Sequence, residues 1–206
     1  MRIAEKTLEL NFCAQANAAA RRRLVWFGLT QRQEAQAGFD ACTKHNGRLL
    51  IFQFKASNYM LRSKARRFYA QHDQMLALQK RCGSYHRSVF YVFPLVGTTL
   101  ELTMNPDLLS ASWLLDVAHL PVPVPRPTKA SGGLRKNGDH YVDVWPGEVT
   151  IHSEPVNVEL SSARELFVQD FHGADGVRGA FDSSFTAFWR DRRLFGRAAV
   201  GLAVLD

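Results

Sequence analysis

Three polar residues with complementary chemistry, Asp40, Gln53 and Lys55, lie within sixteen positions of one another. Gln53 and Lys55 end the apolar run that begins at Leu49, and their two-residue spacing places both on one face of an extended strand. Asp40 precedes a turn at 44–47 that would pair its strand with this run. A buried lysine is costly unless a polar partner compensates it, so this grouping favours a metal and phosphate site. The alternative is that Lys55 is the solvated end of a strand.

Further carboxylates precede this group in the sequence. Glu5 and Glu9 are four residues apart in an Ala-, Glu- and Leu-rich segment, 3–20, and share one face of the helix predicted there. Glu34 lies six residues before Asp40, in the segment that leads into the strand. We expect Glu34 or Glu9 to add a further carboxylate to the site. The alternative for both helix acids is exposure near a helix N-terminus, where the dipole favours them, and for Glu5 this is the preferred interpretation.

The order of these residues resembles the PD-(D/E)xK nuclease superfamily: a helical glutamate, then an aspartate, then an acid or glutamine two positions before a lysine. The resemblance covers about residues 1 to 95. The Gln53-Phe54-Lys55 form is closest to the Holliday-junction-resolvase and Mrr-like restriction group, which includes phage-defence effectors. The resemblance implies a restriction-endonuclease-like α/β fold with a mixed central sheet flanked by helices. It also implies hydrolysis of phosphodiester bonds that depends on Mg²⁺ or Mn²⁺, with DNA favoured over RNA as the substrate. The biological role that it implies is phage defence, restriction or DNA repair.

The same resemblance implies roles for individual residues. Asp40, Glu34 and the Gln53 carbonyl would hold the divalent ion, because hard cations prefer oxygen ligands. Lys55 would position the attacking water and stabilise the negative charge that develops at phosphorus. Glu9 would reach the same site from the first helix. Gln53 stands where most members carry a carboxylate, so the alternative function is a catalytically inactive nucleic-acid-binding or regulatory protein.

The elements that must position these residues follow from the apolar periodicity. Residues 49–54, which Gln53 alone interrupts, and residues 89–93 are near-continuous apolar runs, typical of strands buried on both faces. Residues 61–81 carry apolar side chains at helical spacing, which predicts a long connecting helix. A strand, a helix and a second strand in this order imply a parallel pair with a right-handed crossover. We also expect a strand over 98–103 and a helix over 106–117.

The helix predicted over 61–81 would have a basic outer face. We expect four of its cations to contact the DNA backbone: Arg62, Lys64, Arg66 and Arg67. The alternative is a solvated charged face. His72 falls on the apolar side of the same pattern, and we expect it to be a core residue rather than a catalytic one.

The composition divides the chain into three parts. Residues 1–120 hold the predicted nuclease core. Residues 121–139 begin with four prolines at alternate positions and continue with a Gly- and Lys-rich stretch, which predicts an extended connecting loop. Residues 140–206 are predicted to form a C-terminal α+β extension that packs on the core.

Patterns within the last part predict several elements. Alternation over 140–160 predicts two or three short strands, Ser162-x-x-Glu165 predicts the start of a helix, and 183–195 predicts an amphipathic helix. The chain contains no P-loop, no G-x-S-x-G and no H-E-x-x-H. Chemistry based on those motifs is therefore not indicated.

The overall composition is that of a globular protein: 206 residues, 46% hydrophobic and 22% charged. The formal net charge of +7 favours a polyanionic partner. Three cysteines without a C-x-x-C pair indicate neither a zinc ribbon nor a disulfide framework and suit a reducing cytoplasm. No apolar run approaches the length of a bilayer, so no membrane partner is expected. Besides DNA, the expected partners are a second copy of the chain or a protein of a defence system.

Overall fold

The computed structural model describes residues 1–20, 24–30, 32–34, 38–45, 48–82, 89–120, 139–151 and 156–168. The helices are α1 (Glu5–Ala19), α2 (His72–Cys82), α3 (Thr99–Met104) and α4 (Ala163–Val168), with a 3₁₀ turn at Val117–His119. The strands are β1 (Trp26–Gly28), β2 (Ala41–His45), β3 (Arg48–Phe54), β4 (Arg66–Gln71), β5 (Val89–Pro94), β6 (Ser112–Asp116), β7 (Asp139–Trp145), β8 (Glu148–Ile151), β9 (Val156–Glu159) and β10 (Ser161–Ser162).

These strands form two sheets, one of six strands in the order β1-β2-β3-β5-β6-β10 and one of four in the order β4-β7-β8-β9. β2 and β3 form an antiparallel hairpin in which Cys42 lies opposite Ile51. β3 and β5 run parallel, with Gln53 opposite Tyr91, and the other described strand pairs are antiparallel. The predicted hairpin and parallel pair are therefore confirmed, as is the class, a mixed α/β protein with helices flanking a mostly antiparallel sheet.

Apolar side chains cover both faces of the six-stranded sheet. On one face α1 and α4 pack against β3 through aromatic contacts, with the Phe12 ring 5.6 Å from Phe52 and 5.9 Å from Phe167. On the other face the four-stranded sheet and α2 enclose a second cluster, in which the Phe68 and Phe93 rings lie 5.0 Å apart. Burial of each such side chain contributes about 1.5–3 kcal/mol. Packing on both faces thus fixes the positions of β3 and β5, and with them the polar residues at the end of β3.

The long helix predicted over 61–81 is wrong. Residues 66–71 form β4, and the helix begins only at His72. Alternate residues of β4 are buried: Arg66, Phe68 and Ala70. β4 pairs with β7 along its whole length, so a partner distant in the sequence overrides the local helical spacing. The shorter α2 still connects β3 to its parallel neighbour β5, as expected of a crossover.

Two predictions further along the chain are also wrong. The strand expected over 98–103 is helix α3, whose N-cap Thr98 accepts a hydrogen bond at Oγ1 from the Glu101 N–H at 3.1 Å. The helix expected over 106–117 fails because Ser112–Asp116 is β6, antiparallel to β5. In the first case a Thr-x-x-Glu capping signal was present and outweighs the short alternation.

The strands predicted within 140–160 are confirmed as β7, β8 and β9, and helix α4 follows Ser162 as predicted. Residues 121–138 and the helix predicted over 183–195 lie outside the described residues. β4 and β7 share one sheet, and the division into a core and a C-terminal extension stays a prediction. In the described part of the chain, no helix is long and apolar enough to cross a bilayer.

Candidate functional site

Asp40 and Gln53 meet at the C-terminal end of β3. Gln53 Nε2 donates to Asp40 Oδ2 at 2.7 Å, and the Phe54 backbone N–H donates to the same oxygen at 2.6 Å. The Asp40 N–H in turn donates to the Phe52 carbonyl at 3.0 Å, which continues the β2–β3 pairing by one residue. The carboxylate is therefore fixed against β3 by backbone and side chain together.

Gly38 creates the turn that brings Asp40 to this position. Its φ is +77°, in the left-handed region that favours glycine. A Cβ at residue 38 would also lie 3.2 Å from the Ala77 Cβ on α2. The turn is held by a hydrogen bond from the Gly38 N–H to the Glu34 carbonyl at 2.8 Å.

The orientation of the Gln53 amide follows from its partners. Nε2 donates to Asp40 Oδ2 and, at 3.0 Å, to the Phe54 carbonyl, and since both partners are acceptors the nitrogen must face them. The residue is 2% exposed, and Oε1 has no hydrogen-bond partner in the described part of the chain. Gln53 thus combines a donor that is used with a buried acceptor that is not.

Lys55 is buried beside this pair. It is 8% exposed, and its Nζ donates to Gln74 Oε1 on α2 at 2.6 Å. Its backbone N–H donates to the Val92 carbonyl at 3.1 Å, extending the β3–β5 pairing, and its Nζ lies 6.0 Å from the centre of the Tyr91 ring. Its ammonium is close enough to Asp40 to lower the pKa of that carboxyl.

Burial dominates the chemistry of Asp40 and raises its pKa to about 7. The hydrogen bond from the Phe54 N–H has the next largest effect and lowers the pKa. Of the nearby charges, Glu5 and Glu34 raise the pKa of Asp40 and Lys55 lowers it. Asp40 therefore exchanges a proton near neutral pH. A cation beside it would favour the ionised form.

The acids of α1 approach the site in different ways. Glu9 is 6% exposed, and its two carboxylate oxygens accept from Lys6 Nζ at 2.8 and 2.9 Å. Glu5 Oε1 accepts from the Ala56 N–H at 3.1 Å, directly after Lys55. Glu5 is exposed in the first turn of α1, as predicted from the sequence. Its hydrogen bond to Ala56 was not predictable, because it joins segments that are far apart in the chain.

Glu34 lies in the helical turn that precedes Gly38, and its N–H donates to the Thr30 carbonyl at 2.8 Å. Burial raises the pKa of Glu34, Lys6 opposes the increase, and Glu9 and Glu5 add to it. Glu34 also raises the pKa of Asp40. Glu34 therefore lies within electrostatic range of Asp40, Glu5 and Glu9, whereas the entry of Glu9 into the Asp40 site stays a prediction.

The four cations predicted to contact DNA do not lie on one helix face. Arg62 and Lys64 are exposed in the loop before β4. Arg66 is 2% exposed, and its Nη1 and Nη2 donate to the Ser57 carbonyl and Glu101 Oε2, both at 2.8 Å.

Arg67 pairs with Asp143 at 2.7 Å, and its guanidinium lies 5.1 Å from the centre of the Tyr141 ring. Arg66 is therefore committed to buried contacts within the protein, whereas contact of Arg62, Lys64 and Arg67 with DNA stays a prediction. The four cations do not share one face because residues 66–71 form a strand, in which alternate side chains point to opposite faces.

The site contains oxygen donors suited to a hard cation. In the described part of the chain, no three His, Cys, Asp or Glu residues are grouped as a metal site. The donors that fit a divalent ion are the Asp40 carboxylate and the Gln53 carbonyl, with Glu5 and Glu34 close by. The orphaned, buried Gln53 Oε1 is the observation that suits such an ion, because Mg²⁺ and Ca²⁺ take amide carbonyl ligands.

The chain matches no protein-family model. No curated protein and no solved structure matches it either. The function is therefore argued from the geometry of this site.

Proposed function

We propose that the protein is a metal-dependent nuclease that hydrolyses phosphodiester bonds in DNA. The observation that carries the proposal is the contact of Asp40 with the buried Gln53, beside a buried Lys55 at the end of β3. A carboxylate, an amide carbonyl and an ammonium in one place suit a cation and a phosphate together. Neither a structural ion pair nor a hydrophobic core requires this combination.

The order of the elements supports a restriction-endonuclease-like arrangement. α1 carries the helical acids, β1, β2 and β3 form an antiparallel meander, and α2 crosses to β5 parallel to β3. Asp40 directly precedes the second strand of this unit and the Gln-x-Lys triplet lies at the end of the third, as in the nuclease superfamily that the sequence resembles.

The residues divide the chemistry between them. Asp40 and the Gln53 carbonyl would hold the ion, with Glu5 and Glu34 adding negative charge. When bound, the ion would supply an activated water and neutralise charge on the phosphate. Lys55 would stabilise the additional negative charge that develops on the phosphate oxygens as water adds and the leaving oxygen departs. Gln74 holds the Lys55 ammonium in place through its Oε1.

A catalytically inactive nucleic-acid-binding protein is the second candidate. The observation that favours it is the hydrogen bond from Gln53 Nε2 to Asp40 Oδ2, because an amide donor occupies a carboxylate oxygen that an ion would otherwise use. Such a protein would bind DNA through its net charge of +7 and need no metal.

The deciding experiment is cleavage of supercoiled plasmid with Mg²⁺ or Mn²⁺ by the parent, by Lys55→Ala and by Lys80→Ala, which alters an exposed lysine on α2. We expect the parent and Lys80→Ala to nick the plasmid and Lys55→Ala to lose the activity by about a hundred- to thousandfold. Salt-dependent DNA binding should remain within a few-fold in Lys55→Ala, because many cations share that term. Metal-independent binding by a parent that cleaves neither DNA nor RNA would establish the inactive candidate instead.

A further inference from the structure

Tyr91 lies beside the site but has no role in the function proposed so far. It stands on β5 directly opposite Gln53 in the parallel pair, so the two side chains leave the sheet on the same face. The residue is 1% exposed, and its hydroxyl has no hydrogen-bond partner in the described part of the chain. Its ring is stacked on Phe93, with centroids 5.8 Å apart and planes at 18°.

The Tyr91 side chain lies close to Asp40 and Lys55 as well as to Gln53. Burial raises the pKa of Tyr91, and the negative charge of Asp40 raises it further, so the phenol lies within electrostatic range of that carboxylate. Lys55 Nζ lies 6.0 Å from the centre of the same ring. Tyr91 thus lies near all three residues on which the proposed function depends.

A tyrosine hydroxyl buried without a partner destabilises a folded protein, and phenylalanine would fill the same space without that cost. The Gln53 carbonyl on the neighbouring strand has the same deficiency. The Gln53 carbonyl can only accept a hydrogen bond or bind a cation, whereas the Tyr91 hydroxyl can accept as well as donate. A hydrated divalent cation would suit both oxygens, the first as a ligand and the second as an acceptor from a bound water, because Mg²⁺ usually keeps several waters when it binds to protein.

We propose that Tyr91 is a positioning residue that accepts a hydrogen bond from a water bound to the cation held by Asp40 and Gln53. The proposal rests on the proposed metal-dependent function. In this role Tyr91 orients the hydrated ion and does not contact DNA.

The test compares Tyr91→Phe with the parent and with Tyr69→Phe, which alters a half-exposed tyrosine on the outer face of β4. Mn²⁺ affinity is measured by calorimetry without nucleic acid, and the unfolding temperature is measured without metal. We expect Tyr91→Phe to be at least as stable as the parent without metal and to bind Mn²⁺ three- to tenfold more weakly. Tyr69→Phe should match the parent in both measurements.

Several results would overturn the inference. Unchanged Mn²⁺ affinity in Tyr91→Phe would do so, and a lower unfolding temperature with unchanged affinity would assign the hydroxyl to folding. A parent that binds no Mn²⁺ would overturn the proposed function as well, so the two failures are distinguishable. If Tyr91→Phe does not fold, ¹³C-labelled tyrosine in the parent decides, because the Tyr91 ring resonance should shift when Mg²⁺ is added and the Tyr69 resonance should not.

Discussion

The Gln53 amide donates to Asp40 Oδ2 at 2.7 Å from a position where a carboxylate would repel it. Burial has already raised the pKa of Asp40 to about 7, and a second acid in contact would raise it further. Glutamine at this position therefore avoids repulsion between two carboxylates when no metal is bound. It also leaves the proposed ion with one negatively charged ligand fewer.

The first prediction concerns Gln53→Glu. Without metal, two buried carboxyls would share one place, and we expect a loss of about 1–3 kcal/mol in the free energy of unfolding at pH 7.5. Added Mg²⁺ should stabilise this variant more than it stabilises the parent, since the new acid is a better ligand. Urea denaturation with and without Mg²⁺ measures both effects. Gln71→Glu at the exposed end of β4 is the control, and an equal response of the two variants would contradict the prediction.

The second prediction concerns Gln74→Met, which removes the acceptor of the 2.6 Å hydrogen bond from Lys55 Nζ while keeping an unbranched side chain. A less well-positioned ammonium should lower kcat by about ten- to hundredfold, as misplaced groups do, with little change in KM. Gln71→Met is the matched control on an exposed position. An unaltered kcat in Gln74→Met, measured in single-turnover cleavage, would show that Lys55 needs no support from α2.

The sequence was sufficient for the part of the site that lies on β2 and β3. The apolar run from Leu49 to Phe54 predicted a buried strand, and period two placed Gln53 and Lys55 on one face. The partners of these residues were not predictable in the same way. Gln74 and Ala56 contact Lys55 and Glu5 through tertiary geometry, and no spacing in the sequence encodes those contacts.

The error over residues 61–81 has a physical cause. Phe68 and His72 fit a helical stripe, but Phe68 and Ala70 also fit one face of a strand. Short segments of this kind are ambiguous until their partner is known, and the partner here, β7, lies about seventy residues away. The buried Arg66 was equally unpredictable, because its partners Ser57 and Glu101 belong to other elements.

The third prediction concerns Gly97→Ala, in the segment that Arg66 anchors. A Cβ at residue 97 would overlap Arg66 Nη1 and the Ser57 carbonyl and lie 2.8 Å from the Asn58 Cα. Neither the buried guanidinium nor the backbone has room to move, so we expect a loss of more than about 3 kcal/mol in the free energy of unfolding.

Gly28→Ala is the control for that variant, because its Cβ would make only ordinary contacts, 3.8 Å from Glu9 Oε1 and 3.9 Å from Lys6 Nζ. Chemical denaturation of both variants tests the difference. Equal stabilities would mean that the Arg66 contacts contribute little to the fold.

The fourth prediction is a pH dependence that Asp40 creates. Its folded pKa of about 7 lies well above that of an exposed aspartate, about 3.9, so between these values the folded state keeps a proton that the unfolded state has released. Stability from this group is complete below about pH 4 and is lost as the pH rises through 7. Asp40→Asn lacks this ionisation. We therefore expect its stability relative to the parent to increase from pH 4.5 to about pH 7 and to level off by pH 8.

Urea denaturation across that range measures the difference, and Asp73→Asn, at an exposed position on α2, is the control that should not reproduce it.

Metal provides a second check on the same carboxyl. At pH 8 Mg²⁺ should restore stability to the parent but not to Asp40→Asn, because only the parent offers a carboxylate to the ion. Below pH 6 the effect of Mg²⁺ on the parent should fade, since the ion must then displace a proton from Asp40. Parallel pH profiles for the parent and Asp40→Asn would mean that Asp40 is ionised throughout and that its burial is compensated without metal.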